Sequence, residues 1–120
     1  MNLILYGTLY QKGNSRRIVF NKRTRKPMVI KSDKALGAFN SFVMQAQAQK
    51  NGEPLKGLLS LRATIYYPDN RHDLEDSMLC DALQKAGIIK NDRQIVEKIL
   101  YKKFDKEKPR IELIIEEIWK

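Results

Sequence analysis

Residues 69–94 read DNRHDLEDSMLCDALQKAGIIKNDRQ. Four acids open the stretch, Asp69, Asp73, Glu75 and Asp76, and a further acid, Asp92, follows Asn91 near its end. Between them Leu74, Met78, Leu79, Leu83 and Ala86 recur at helical spacing, and Gly87 stops the pattern. Upstream, residues 58–67 alternate strictly. Leu59, Leu61, Ala63, Ile65 and Tyr67 share one face, against Ser60, Arg62, Thr64 and Tyr66, and Pro68 ends the strand. The acids therefore fall where a strand turns into a helix. Two readings stay open there. Asp73 with Asp76 approximates a capping box, and acids in a first turn complement the helix dipole. Alternatively, an Asp73-x-Glu75 pair joined by Asp92 offers the hard oxygen donors that Mg²⁺ prefers. Spacing alone favours capping.

Outward from that centre, residues 2–10 predict a strand with Leu3, Leu5 and Leu9 inward, and Gly7 as a bulge or close approach. Residues 11–17 form a turn. Residues 16–20 and 27–30 flank the basic run Asn21-Lys22-Arg23-Thr24-Arg25-Lys26 as a hairpin. Ser32 is a suitable N-cap for a helix over 33–49 carrying Leu36, Phe39, Val43 and Ala46. Residues 95–104 fit a helical period and a β composition equally. Residues 110–119 predict a strand with Ile111, Leu113 and Ile115 inward.

The chain of 120 residues suits one domain, 1–120, and 42% hydrophobic residues can fill one core. No apolar run approaches a membrane span and no secretory leader is expected. The single cysteine, Cys80, fits a reducing cytoplasm and a structural thiol. Net charge is +9, and it is uneven. Residues 1–52 hold ten Lys or Arg and one acid, Asp33, while the remainder holds thirteen of each sign. A concentrated positive excess suits a polyanion, because phosphate contacts release counterions. Guanidinium-rich runs suit phosphate in particular. One Cys and one His, His72, make zinc improbable. His72 is read as solvated, with proton transfer as the sharper alternative.

The runs Asp73-Leu74-Glu75-Asp76, Cys80-Asp81-Ala82-Leu83-Gln84-Lys85-Ala86-Gly87-Ile88 and Asn91-Asp92-Arg93-Gln94-Ile95-Val96 resemble the RusA family of Holliday junction resolvases. The resemblance implies an α+β fold with a small mixed sheet of about five to six strands and two main helices, assembled as a homodimer. It implies that residues 94–104 form a strand. It implies a crossover junction endodeoxyribonuclease that resolves four-way junction DNA by paired symmetric nicks in recombination and repair, using Mg²⁺, with Mn²⁺ as a substitute. Carried over, Asp73, Glu75 and Asp92 are the catalytic acids, and Asp73, Glu75, Asp76 and Asp92 the metal ligands. Lys12, Asn14, Arg16, Arg17, Lys22, Arg23, Arg25, Lys26 and Arg71 are the candidate DNA contacts. The resemblance also implies a cytoplasmic protein of bacterial or phage origin.

The sequence departs from the family pattern in three ways. Glu75 stands where Asp is usual. The interval to Asp81 is two residues short. The family's helix lysine is absent, with Ser77 and Met78 in its neighbourhood, and no motif selects Lys85 or Lys12 in its place. A shifted frame with Asp69 and Asp73 as the pair stays open. So do two non-catalytic readings: a branched-DNA binder whose acids only cap the helix, and a small basic RNA-binding protein.

Overall fold

The computed structural model describes residues 1–11 and 33–118, and the backbone alone of residues 16–20 and 27–31. The elements in order are β1 (Asn2–Tyr6), β2 (Arg16–Phe20), β3 (Pro27–Lys31), α1 (Asp33–Gln49), β4 (Leu59–Tyr67), α2 (Ser77–Lys85), β5 (Ile95–Phe104) and β6 (Arg110–Glu117). The alternating segment becomes β4, with Leu59, Leu61, Ala63, Ile65 and Tyr67 all buried. It lies at the centre of a four-stranded mixed sheet ordered β1-β6-β4-β5. β6 runs antiparallel to both β1 and β4, and β5 runs parallel to β4. A parallel neighbour needs a crossover connection, and α2 provides it. The sheet is smaller than the five to six strands expected, because β2 and β3 pair with each other as a hairpin rather than with the sheet.

The core lies between one sheet face and the two helices. Leu3 and Leu5 of β1, and Ile111, Leu113 and Ile115 of β6, join the β4 residues there. α1 contributes Ala35, Phe39, Phe42, Val43 and Ala46. Leu36, expected inside, is exposed; the inward stripe runs one step aside, through Ala35 and Phe42. α2 contributes Met78, Leu79, Cys80, Ala82 and Leu83. Residues 95–104 are a strand, and their sequence ambiguity has a physical origin: β5 is at the sheet edge and largely exposed, so burial imposes little alternation.

Glycines mark two close approaches. Gly7 ends β1 at φ 130°, with the Phe42 ring 3.3 Å from where a Cβ would sit, and this shortens the strand expected over 2–10. Gly87 takes φ 79° just past α2, as expected of a helix stop. Ser32, Trp119 and the tip of the basic hairpin lie outside the described residues.

β5 leads to β6 through a tight turn that steps across the end of β4. Asp105 accepts hydrogen bonds from the amides of Glu107 and Lys108 and from Arg110, and its own amide donates to the Tyr67 carbonyl. These contacts, the Lys108 amide foremost and then Arg110, hold the Asp105 carboxyl below its ordinary range. The opposite edge is closed by side chains. Gln45 of α1 accepts from the Tyr6 amide at 2.7 Å and donates to the Tyr6 carbonyl at 2.8 Å. Gln49 does the same for Ile4, at 3.1 and 2.8 Å. Two amides thus satisfy the outer hydrogen-bonding groups of β1 as a neighbouring strand would. Replacing both by alanine (Gln45→Ala with Gln49→Ala) should cost about 1–3 kcal/mol, the net value of several partly exposed hydrogen bonds. Urea denaturation reads this directly, and an unchanged midpoint would show that water replaces the amides without loss.

Candidate active site

β4 delivers the chain to the acids, and α2 returns it. α2 begins at Ser77, three residues later than capping by Asp73 requires. Asp73 does not cap it: its carboxylate is exposed and accepts from Gln11 Nε2 at 3.1 Å. The capping interaction comes from Glu75, whose Oε1 accepts from the Ser77 amide at 2.9 Å. Asp76 occupies the N-cap position but makes no side-chain bond to the helix backbone. Its Oδ2 instead takes Lys98 Nζ at 3.0 Å and the Cys80 thiol at 3.3 Å. Leu74, expected in the buried stripe, precedes the helix and is exposed.

Lys98 reaches Asp76 because of strand parity. In the β4–β5 register, Lys98, Leu100 and Lys102 lie beside Leu61, Ala63 and Ile65, the residues that face the core. A lysine on that face of an edge strand is directed toward α2. Asp92 arrives from the other end of the helix. The N-terminal capping box at Asn91 and Gln94 fixes the short 3-10 turn Asp92–Gln94, and Gln84 of α2 accepts from the Asp92 amide at 3.2 Å. The result is a polar pocket of about 170 Å³ lined by Asp76, Ser77, Cys80, Asp81, Asp92 and Lys98.

The electrostatics of the pocket follow from its composition. Burial, then the Asp76 charge, pushes the Cys80 thiol from the ordinary 9.0 up to about 12. Cys80 is thus a protonated donor to Asp76, and a poor nucleophile. Burial acts against the Lys98 ammonium, but its hydrogen bond to Asp76 and the charges of Asp76 and Asp92 outweigh that and raise its pKa. Lys98 is a cation throughout the neutral range.

A second group of acids surrounds Tyr67. The Tyr67 hydroxyl donates to the Asp73 carbonyl at 3.0 Å. Burial raises its pKa, and the Glu75, Asp73 and Asp76 charges add to that against a backbone hydrogen bond at Glu75. Asp76 is thus the acid shared between the Tyr67 group and the pocket. Of the four metal ligands carried over, Asp76 and Asp92 line the pocket, whereas Asp73 and Glu75 do not. Among the described residues no three His, Cys, Asp or Glu side chains converge closely enough in this arrangement to ligate one ion. Asp69 belongs to its own turn, accepting from the Arg71 amide at 2.9 Å. His72 is packed rather than solvated, stacked on Tyr67 with ring centroids 5.2 Å apart and edge-on to Tyr10 at 6.0 Å. Arg71 projects into solvent near Asp69. Lys12, Asn14, Lys22, Arg23, Arg25 and Lys26 lie outside the described residues, as do the side chains of Arg16 and Arg17, whose backbone is in β2.

Lys98 is the functional candidate that sequence reasoning missed, while Asp81 was noted without a role. Once residues 95–104 are a strand, its parity with Leu100 marks Lys98 as an inward lysine, and that signal could have found it.

These features define a small α+β protein with an acid- and lysine-lined pocket between a crossover helix and a parallel strand pair. In comparison with family models, the chain matches endodeoxyribonuclease RusA over residues 11–116, from the approach to the basic hairpin through nearly all of β6. It belongs to the RusA endodeoxyribonuclease family. No curated protein compared with it gives a match.

The pocket should make the protein alkali-sensitive. Between pH 9.0 and about 12 the unfolded chain releases the Cys80 proton while the folded one keeps it, so stability falls as pH rises. Lys98 acts in the same direction, since its raised pKa gives a contribution lost as pH rises through the folded value. The Cys80→Ala variant should lose stability less steeply over this window. Chemical denaturation at stepped pH tests it, and parallel slopes for the two proteins would contradict the assigned thiol state.

Proposed function

We propose that this chain is a Mg²⁺-dependent endonuclease that cuts four-way DNA junctions by paired symmetric nicks, working as a homodimer in recombination and repair. The observation that carries the reading is one pocket shared by three carboxylates, Asp76, Asp81 and Asp92, and the Lys98 ammonium, in a member of the RusA family. The donor set fits Mg²⁺ in kind, being hard oxygens beside a polar, solvent-reached cavity. Lys98 Nζ, 3.0 Å from Asp76, holds that carboxylate in the pocket and would share it with a bound ion. Because the three carboxylates of the pocket do not converge on one point in this arrangement, one or two of them would hold the ion directly, with water and phosphate oxygens completing its shell. Bound there, Mg²⁺ or Mn²⁺ supplies an activated water and neutralises charge on the phosphodiester.

The remaining chemistry belongs to the chain. Lys98 stays protonated and donates to the phosphate or to the departing 3′ oxygen, a role for which its fixed bond to Asp76 prepares its position. Cys80 holds the other side of the same carboxylate. Glu75 fixes the start of α2 through the Ser77 amide, and Asp73 anchors the loop to Tyr67 through its carbonyl, so both present Asp76. The basic first half of the chain, with Lys12, Asn14, Arg16, Arg17, Lys22, Arg23, Arg25 and Lys26, grips phosphates, and Arg71 of the acidic loop is a further cation for them. A two-fold dimer offers matched sites to the two strands of a symmetric junction.

Asp76→Asn and Asp92→Asn should each reduce nicking of a labelled four-way junction by at least about 100-fold while keeping or tightening binding, since each removes a negative charge near phosphates. Lys98→Met should lose roughly 100-fold as well. EDTA should abolish cutting by the unaltered protein. Tight junction binding with no Mg²⁺-dependent nick would identify a branched-DNA binding protein instead. An Asp76→Asn variant that cuts normally beside an inactive Asp73→Asn would move the site to the Tyr67 cluster.

A further inference from the structure

Residues 68–76 form neither helix nor strand, yet they carry four acids, Asp69, Asp73, Glu75 and Asp76, from the end of β4 to the start of α2. No ladder holds this loop, so its backbone groups need other partners. Two consecutive carbonyls are taken by side chains of the sheet. The Tyr67 hydroxyl of β4 donates to the Asp73 carbonyl at 3.0 Å, and the Lys102 ammonium of β5 donates to the His72 carbonyl. Lys102 also donates to Asn70 Oδ1 at 2.8 Å, so it grips the loop on both sides of Arg71. Its Nζ lies 5.7 Å from the Tyr67 ring centroid and 5.8 Å from that of Phe104, within cation–π range. The Tyr67 ring stacks in turn on His72. One lysine thus closes a packed group that fixes the loop at residues 70, 72 and 73.

Lys98 and Lys102 share the helix-facing side of β5 but bond differently. Lys98 meets a carboxylate. Both acceptors of Lys102 are neutral oxygens, and among the described residues no carboxylate lies within ion-pair distance of it. Its charge is therefore not cancelled by one partner, and it eases the mutual repulsion of the loop acids together.

We propose that Lys102 is a positioning residue for the cleavage proposed above, holding the loop through Asn70 and the His72 carbonyl so that Asp76 enters the pocket. The role in cleavage rests on the endonuclease reading, whereas the hold on the loop does not. Asp76 follows Asp73 by three residues, a reach of at most about 11 Å, so fixing residues 72 and 73 restricts where that carboxylate can go. In this role Lys102 touches no substrate. Its loss lowers turnover and leaves junction affinity in place.

Lys102→Met keeps the apolar stem and removes the donors, at a half-exposed position on an edge strand. Its kcat on a four-way junction should fall roughly tenfold with KM unchanged. Lost affinity with turnover intact would overturn the proposal and make Lys102 a phosphate contact. Amide hydrogen exchange without DNA or metal gives the second readout. The Ser77 amide, bonded to Glu75, should exchange roughly tenfold faster, while that of Ala63 in the central strand keeps its wild-type rate. Equal quickening at both would reduce Lys102 to general stability, and an unchanged Ser77 would show a loop that does not depend on it; either result overturns the proposal. Lys103→Met removes the same charge from the opposite face of β5, beside Tyr66, and should move neither readout. Effects matching those of Lys102→Met would assign the result to net charge and overturn the positioning role. A wild-type protein that never nicks would overturn the endonuclease reading alone, and exchange would still decide whether Lys102 holds the loop.

Discussion

The contact between Asp76 and Lys98 ties the start of the crossover helix to the middle of the edge strand, and most of the site follows from it. Asp76 stands at the N-cap of α2, where a carboxylate commonly bonds the first free amides at a gain of about 1 kcal/mol. Here it turns to Lys98 and Cys80 instead. An ion pair whose side chains are 42% and 14% exposed gains only about 0–1 kcal/mol in return. Stability therefore does not explain the choice. Glu75 reaches forward to the Ser77 amide, so the helix retains a cap even though its N-cap acid faces elsewhere. The local sequence thus carries two carboxylates for one capping task, which leaves one for chemistry.

The parallel pairing of β4 and β5 determines what surrounds that contact. A parallel neighbour obliges the chain to travel back along the sheet, so α2 and the short turn after it lead from the end of β4 to the start of β5. One end supplies Asp76 and the other supplies Asp92, and Lys98 lies on the strand that follows. An antiparallel hairpin at this place would have removed the helix and separated these groups. The same topology puts β5 at the edge, where Lys98 meets Asp76 at the N-cap of α2 and Lys102 meets Asn70 and the His72 carbonyl in the preceding loop.

How far the sequence could be read depended on burial. β4 and β6 are half-buried, so their alternation is visible, and α1 was placed to its end residues although its inward stripe was set one step off at Leu36. β5 hides because exposure on an edge removes the pattern, and only the family resemblance identified it as a strand. The hairpin was legible from its turn residues, while its separation from the sheet was not, since strand pairing across the fold leaves no local mark. At the site, Asp76 and Asp92 were identifiable as acids in a recognisable frame. Lys98 was not, because the relation that matters is parity with Leu100 and a register with β4. The capping reading was right about chemistry and misplaced in position: a carboxylate does cap α2, and it is Glu75 rather than Asp73.

Charge separates grip from cutting in this molecule. The pocket places three carboxylates against one ammonium, so a phosphodiester entering it meets net negative charge unless a further cation is present. The positive excess of the chain lies elsewhere, in the first 52 residues, with ten Lys or Arg against one acid. On the proposed reading, a polyanion would be held by the basic part of the chain and repelled at the pocket unless a further cation neutralised the acids. This makes the acidic cluster a control as well as a scaffold. Removing a carboxylate relieves the repulsion and removes a metal donor at once, so affinity and turnover should respond to it with opposite signs.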